Sequence, residues 1–149
     1  MATAKKSVLV INGPNLNLLG QRQPEIYGSA TLEDHLNRMK EIGSAAGLEV
    51  IGFQSNSSGD IVNRIHEARM GVDAIIINAG AFTHYAWSIH DALATFVGPK
   101  IEVHISNPVA REEWRHVSVL APVVNGSIAG FGALGYDLAM AAVDSLLNI

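Results

Sequence analysis

Cysteine is absent from all 149 residues, which excludes disulfide frameworks, thiolate metal sites and cysteine nucleophiles. Charge is sparse: Asp, Glu, Lys and Arg make up 16% of the chain, with a formal net charge of -4. The only adjacent basic pair is Lys5-Lys6, ahead of the first apolar run, so no basic surface suggests a nucleic-acid partner. No apolar stretch approaches the roughly 20 residues of a membrane helix, and no membrane partner is expected. The run after Lys5-Lys6 is too short for a signal-peptide core and stops at Asn12-Gly13-Pro14. The expectation is a soluble, cytoplasmic protein. A Walker glycine–lysine loop, a Gly-x-Ser-x-Gly elbow and a His-Glu-x-x-His pair are all missing, so nucleotide binding, serine hydrolysis and zinc proteolysis have no motif behind them.

What is present is globular. The chain is 48% apolar, and its length suits a single domain spanning residues 1–149 that buries roughly 68–70% of its unfolded surface. Strand and helix signals alternate throughout. Strands are expected at Val8–Ile11, Leu48–Phe53, Ala74–Ile77, Lys100–Ile105 and Ser127–Ala129. Helices are expected over about 32–46, 60–70, 87–96 and 134–147, with a short helical stretch near 111–115. Thr31 is placed to cap the first helix and Gly47 to end it. Continuous apolar strands between helices predict a parallel sheet covered on both faces, an α/β flavodoxin-like double winding of five strands.

The strands run out into Asn12, Gln54, Asn78, Glu102 with His104, and Gly130. In an open α/β sheet the carboxyl edge is where ligands bind, so this concentration of polar groups predicts a small-molecule site there. The segment from Asn12 to Gly28 strengthens the case, because it brings asparagines, Arg22 and Tyr27 onto a loop broken by glycine and proline. A phenol is ionised to only about one part in a thousand at neutral pH, and a nearby cation favours the phenolate. Tyr27 with Arg22 five positions away therefore suggests a base and its electrostatic activator; an arginine gives up no proton itself. Glu102 and His104 share one side of their strand by period-two alternation, and a carboxylate beside an imidazole fixes the tautomer of a proton donor. A satisfied buried histidine is the alternative for that pair.

Other features weigh less. His35 and His66 fall within helices as surface or packing residues, and no carboxylate cluster accompanies the six histidines at metal-ligand spacing. Gly130-Phe-Gly132-Ala-Leu-Gly135 has the letters of a dinucleotide fingerprint, but the chain ends inside the helix that follows, so tight packing of strand against helix is expected instead. Ser106-Asn107-Pro108 offers backbone N–H groups and a hydroxyl to an anion. Arg111 and Arg115 lie on one helical face, where either reaches a carboxylate, while Glu112 and Glu113 offer Arg111 a surface ion pair instead.

These residues resemble one family over essentially the whole chain. Asn12–Gly20, Arg22 with Pro24–Gly28, Asn78–Gly80 with Thr83-His84, Asp91–Leu93, and Ile101–Asn107 with Arg111–Glu113 and Arg115 are similar to type II 3-dehydroquinate dehydratase. The resemblance implies a cofactor-free, metal-free lyase of the shikimate pathway, converting 3-dehydroquinate to 3-dehydroshikimate and water, and assembled as a homo-oligomeric dodecamer of trimers. By position, Tyr27 is the base at C2, and Arg22 promotes its ionisation. An ordered water near Asn15 holds the enolate, and His104, oriented by Glu102, protonates the departing hydroxyl. Asn78, His84 and Arg115 resemble the residues that bind ring hydroxyls, Ile105 and Ser106 the carboxylate pocket, and Asp91 a residue supplied across the trimer interface. Tyr85, Trp87, His90, Val119 and Gln23 depart from the family pattern, and none is among the proposed acid or base. The rival expectation is a non-catalytic flavodoxin-like ligand-binding or receiver-type module; a receiver needs acidic residues at the end of its first strand, where this chain has Asn12.

Overall fold

The apolar run Val8–Ile11 forms the centre of strand β1 (Lys6–Asn12). In the computed structural model, which describes residues 5–148, it is flanked by β2 (Leu48–Gln54) and β3 (Ala74–Asn78). Beyond β3 come β4 (Lys100–His104) and β5 (Gly126–Ala129), giving the all-parallel order β2-β1-β3-β4-β5. That is the flavodoxin-like double winding.

Alternation along each strand divides the core in two. Val8 and Val10 of β1 and Ala74 and Ile76 of β3 face helices α2 (Leu32–Ala46) and α5 (Leu134–Leu147), where Met39, Tyr136 and Met140 meet them. Leu9, Ile11, Ile75 and Ile77 face the other way, onto Ile61 and Ile65 of α3 (Ser58–Ala68) and Ile89 and Leu93 of α4 (Trp87–Ala94). Each such side chain taken fully from water contributes roughly 1.5–3 kcal/mol. Because both faces are covered, β3 is buried at every position, and its sequence reads as unbroken hydrophobicity.

Local chemistry sets the helix limits. The Thr31 hydroxyl accepts from the Asp34 backbone N–H at 3.1 Å, and the Asp34 carboxylate returns the bond to Thr31 N–H at 2.9 Å, a capping box. Gly47, at φ 75°, closes α2 in the left-handed conformation. Helix α3 starts earlier than its apolar stripe indicates, because Ser57 caps it through Asp60 N–H. Two differences from the sequence reading matter for the site. The helical stretch expected at 111–115 is instead a pair of 3-10 turns, Pro108–Ala110 and Glu113–Arg115, separated where Arg111 adopts an extended backbone. A one-turn helix, α1 (Pro24–Tyr27), also sits inside the segment expected to be loop, with Pro24 at its first position and the Gly28 N–H bonded to the Pro24 carbonyl.

His35, buried in α2 against the Tyr136 ring, bears on acid stability. Burial pushes its imidazole below the ordinary value, against the opposing pull of Asp34 and Asp137. The folded ring holds its proton less tightly than the unfolded one, so the unfolded chain takes up more protons and stability falls as pH drops through about 6.5. His84 acts with the same sign. The urea midpoint is therefore expected to fall between pH 7.5 and 5.5, and by less in His35→Gln. An equal drop in both proteins would count against His35 as a source.

Candidate active site

A cleft of about 620 Å³, its open mouth included, lies at the carboxyl edge of the sheet and is lined from three sources. The segment after β1 gives Asn15, Arg22 and Tyr27, the end of β3 and the turn after it give Asn78 and His84, and the end of β4 with its following loop gives His104, Ile105, Ser106, Arg111 and Arg115. With this strand order the winding changes direction between β1 and β3, and the crevice falls beside that point. Of the strand-end polar residues, Asn78 and His104 line the cleft. Gln54 instead donates to the Gly13 carbonyl and to Asn56, bracing the first loop from behind.

The Tyr27 hydroxyl lies between two guanidinium groups. Arg111 Nη1 donates to it at 2.8 Å and to Ser106 Oγ at 3.1 Å, while Arg22 Nη2 stands at 3.5 Å. Both cations also face the ring, with Cζ at 4.5 Å (Arg22) and 5.3 Å (Arg111) from its centroid. The shorter contact thus comes from Arg111, which the sequence offers as a carboxylate anchor or surface ion pair rather than as the phenol's partner. Two cationic side chains thus converge on one oxygen. Two non-glycine residues with left-handed backbone, Asn15 (φ 69°) and Gln23 (φ 38°), shape the loop that delivers these groups. Such strain persists only where the surroundings enforce it; the Asn15 N–H, for one, is held by Asn56 Oδ1 at 3.0 Å.

On β4, His104 Nε2 meets Glu102 Oε2 at 2.7 Å, leaving Nδ1 for the cleft. Glu102 is 1% exposed and also accepts from the hydroxyls of Thr83 (2.6 Å), Ser118 (2.8 Å) and Ser127 (3.3 Å). Burial pushes the Glu102 carboxyl up, but the bond to His104 and those from Thr83 and Ser118 together outweigh it and hold the group below its usual range. Glu102 is therefore an ionised group that orients the imidazole. The three hydroxyls escaped the sequence reading: they come from elements 16 to 25 residues away, and only the register pairing Glu102 with Ser127 places one of them.

His84 stacks on His104 with centroids 6.4 Å apart, and Trp114 meets it edge-on at 5.4 Å. His84 Nδ1 lies 2.8 Å from the Val117 carbonyl. Burial pushes the ring below its ordinary value, only partly opposed by that bond, so a neutral ring donates from Nδ1 and presents Nε2 as an acceptor. Arg115 pairs with Glu112 and covers the Trp114 face at 4.0 Å. Asp91 is not brought to the cleft. It lies on α4, its side chain 84% exposed, beside His90. The glycine-rich run behaves as close packing: a Cβ on Gly135 would meet Val103 at 3.4 Å, and the Gly132 N–H, at φ 59°, holds the Ile105 carbonyl at the cleft's edge. Among the described residues no group of three or more His, Cys, Asp or Glu is arranged to hold a metal, and no helix is long and apolar enough to cross a membrane.

The family model described as Dehydroquinase class II matches residues 6–144. This chain belongs to that family. A 3-dehydroquinate dehydratase of Caldicellulosiruptor bescii is 54% identical over 144 residues, 96% of this chain and 99% of the relative. Among solved structures, a type II dehydroquinase from Butyrivibrio crossotus superposes with a TM-score of 0.92 at 47% identity, covering 95% of this chain and 99% of its own. One from Propionibacterium acnes gives 0.90 at 44% identity, covering 97% and 99%. The flavodoxin-like sheet is thus the class II dehydroquinase fold, and the cleft lies within the matched region.

Proposed function

We propose that this chain dehydrates 3-dehydroquinate to 3-dehydroshikimate, with Tyr27 as base and His104 as acid. The observation that carries this reading is a phenol flanked by two guanidinium groups in the same cleft as an imidazole backed by an ionised carboxylate. Loss of water from a β-hydroxy ketone requires a base for the α-proton, a stabiliser for the enolate and an acid for the leaving group. The Tyr27 oxygen takes the C2 proton, with Arg22 and Arg111 steadying the phenolate. A water held near Asn15 supports the enolate oxygen. As the C=C bond forms, the C–O bond breaks, and His104, an imidazolium whose Nε2–H is held by Glu102, passes its Nδ1 proton to the departing hydroxyl, which leaves as water while the ring becomes neutral.

In the same proposal Asn78, His84 and Arg115 bind ring hydroxyls, and Ile105 and Ser106 receive the carboxylate. Asp91 is exposed and is not among the residues lining its own cleft, so its proposed role belongs to the cleft of a neighbouring copy, in keeping with a dodecamer built of trimers. A cytoplasmic location and a single catalytic domain over residues 1–149 complete the reading.

Chelator-treated protein mixed with 3-dehydroquinate is expected to produce a protein-dependent rise in near-ultraviolet absorbance as the conjugated enone forms. A flat trace from folded, assembled protein would reject the reading and favour a non-catalytic ligand-binding module on the same fold.

A further inference from the structure

We infer that Tyr136, which lies outside the cleft, is a positioning residue that holds the Asn78 amide from behind in the orientation it presents to the substrate. This rests on the reading of Asn78 as a substrate-binding residue.

Asn12 and Asn78 are register partners at the ends of β1 and β3. Alternation turns both toward α5, where Val8, Val10, Ala74 and Ile76 also point. Directly below them on α5 sits Tyr136, 1% exposed, its hydroxyl 2.5 Å from Asn12 Oδ1 and 3.0 Å from Asn78 Nδ2. All three residues are buried: Asn12 completely, and Asn78 down to the 3% exposure it shows at the cleft.

The direction of this chain of hydrogen bonds follows from one backbone group. The Gly80 N–H points at the Asn78 side chain at 3.2 Å and can only donate. Asn78 must therefore present Oδ1 to Gly80 and Nδ2 to Tyr136, because the opposite orientation would set two donors against each other. The Tyr136 oxygen then accepts from Nδ2, and its single hydrogen goes to Asn12 Oδ1. Burial pushes the Tyr136 phenol well above its ordinary value, so that hydrogen stays in place. Gly80 is suited to this place: it sits at φ 59°, and a Cβ there would meet the Pro14 carbonyl at 3.2 Å. The relay Gly80 to Asn78 to Tyr136 to Asn12 leaves one Nδ2 hydrogen and one Oδ1 lone pair of Asn78 for the cleft. Without the hydroxyl, Nδ2 has no inward partner, and the Gly80 N–H is left as the one inward bond holding the amide.

A double-mutant cycle tests this. Wild type, Tyr136→Phe, Asn78→Ala and the double variant are assayed with 3-dehydroquinate, and hydrogen exchange of the Asn78 side-chain amide is followed by NMR in wild type and Tyr136→Phe. Tyr136→Phe is expected to raise KM about five- to tenfold, the equivalent of one neutral hydrogen bond, with a smaller change in kcat. In the Asn78→Ala background it is expected to leave KM unchanged, since contacts that act through one another are not additive. Exchange of the Asn78 amide is expected to speed up in Tyr136→Phe. An equal rise in KM in both backgrounds, or no rise in either, overturns the proposal, as does an unaltered exchange rate. If the wild type does not turn over 3-dehydroquinate, the functional reading fails on its own, and the exchange comparison alone decides the relay. If Tyr136→Phe does not fold, Asn12→Ala removes the acceptor while keeping the hydroxyl, and the same pattern in a milder form is expected.

Discussion

Replacing Tyr27 by Phe is expected to lower kcat by roughly 10²- to 10⁴-fold, the usual worth of a positioned proton-transfer group, with KM little changed. Only the phenolic oxygen is lost. The ring survives between the Arg22 and Arg111 guanidinium groups, so the cation–π contacts that seat it remain. Arg111 also keeps its bond to Ser106 Oγ. The one-turn helix that carries residue 27 is closed by Pro24 and Gly28 and owes nothing to the hydroxyl. A structural collapse is therefore not expected to mimic the catalytic loss, and circular dichroism with steady-state kinetics separates the two. Retention of most of the turnover would reject Tyr27 as the base.

The second large effect belongs to His104. His104→Ala is expected to cut net dehydration by roughly 10²-fold or more while exchange of the substrate's C2 proton with solvent deuterium continues, because the base and the enolate support are untouched. The cost to folding is contained. Glu102 loses one charge-assisted bond, about 1.5–3 kcal/mol, but keeps the hydroxyls of Thr83, Ser118 and Ser127. NMR of recovered substrate measures the exchange, and absorbance measures the dehydration. Equal loss of both would argue against an acid acting after proton removal.

How much of this was legible before the structure depends on where the information lies. Helix α2 starts and stops as expected because Thr31, Asp34 and Gly47 act on their immediate neighbours. Strand β3 is plain because five consecutive buried residues leave no polar interruption. The pairing of Glu102 with His104 follows from alternation within one strand. Helix α1 leaves no mark in the sequence because four residues are too few to show a period. The place of Arg111 is hidden in the sequence because its partner, Tyr27, is 84 positions away and its acidic neighbours suggest a simpler use. The hydroxyls around Glu102 and the phenol beneath Asn78 belong to the same class. Each is an unremarkable Ser, Thr or Tyr until strand order and register set it opposite a particular partner.

The Asn78–Tyr136 bond spans 58 positions, and its far end is in the last helix. During synthesis from the amino terminus, the phenol, the guanidinium groups and the imidazole of the cleft all leave the ribosome before α5 does. A chain stalled ahead of that helix would carry Tyr27, Arg22, Arg111 and His104, yet would lack the hydroxyl bonded to Asn78. The bond beneath Asn78 therefore forms only after α5 has been made, later than every residue that lines the cleft.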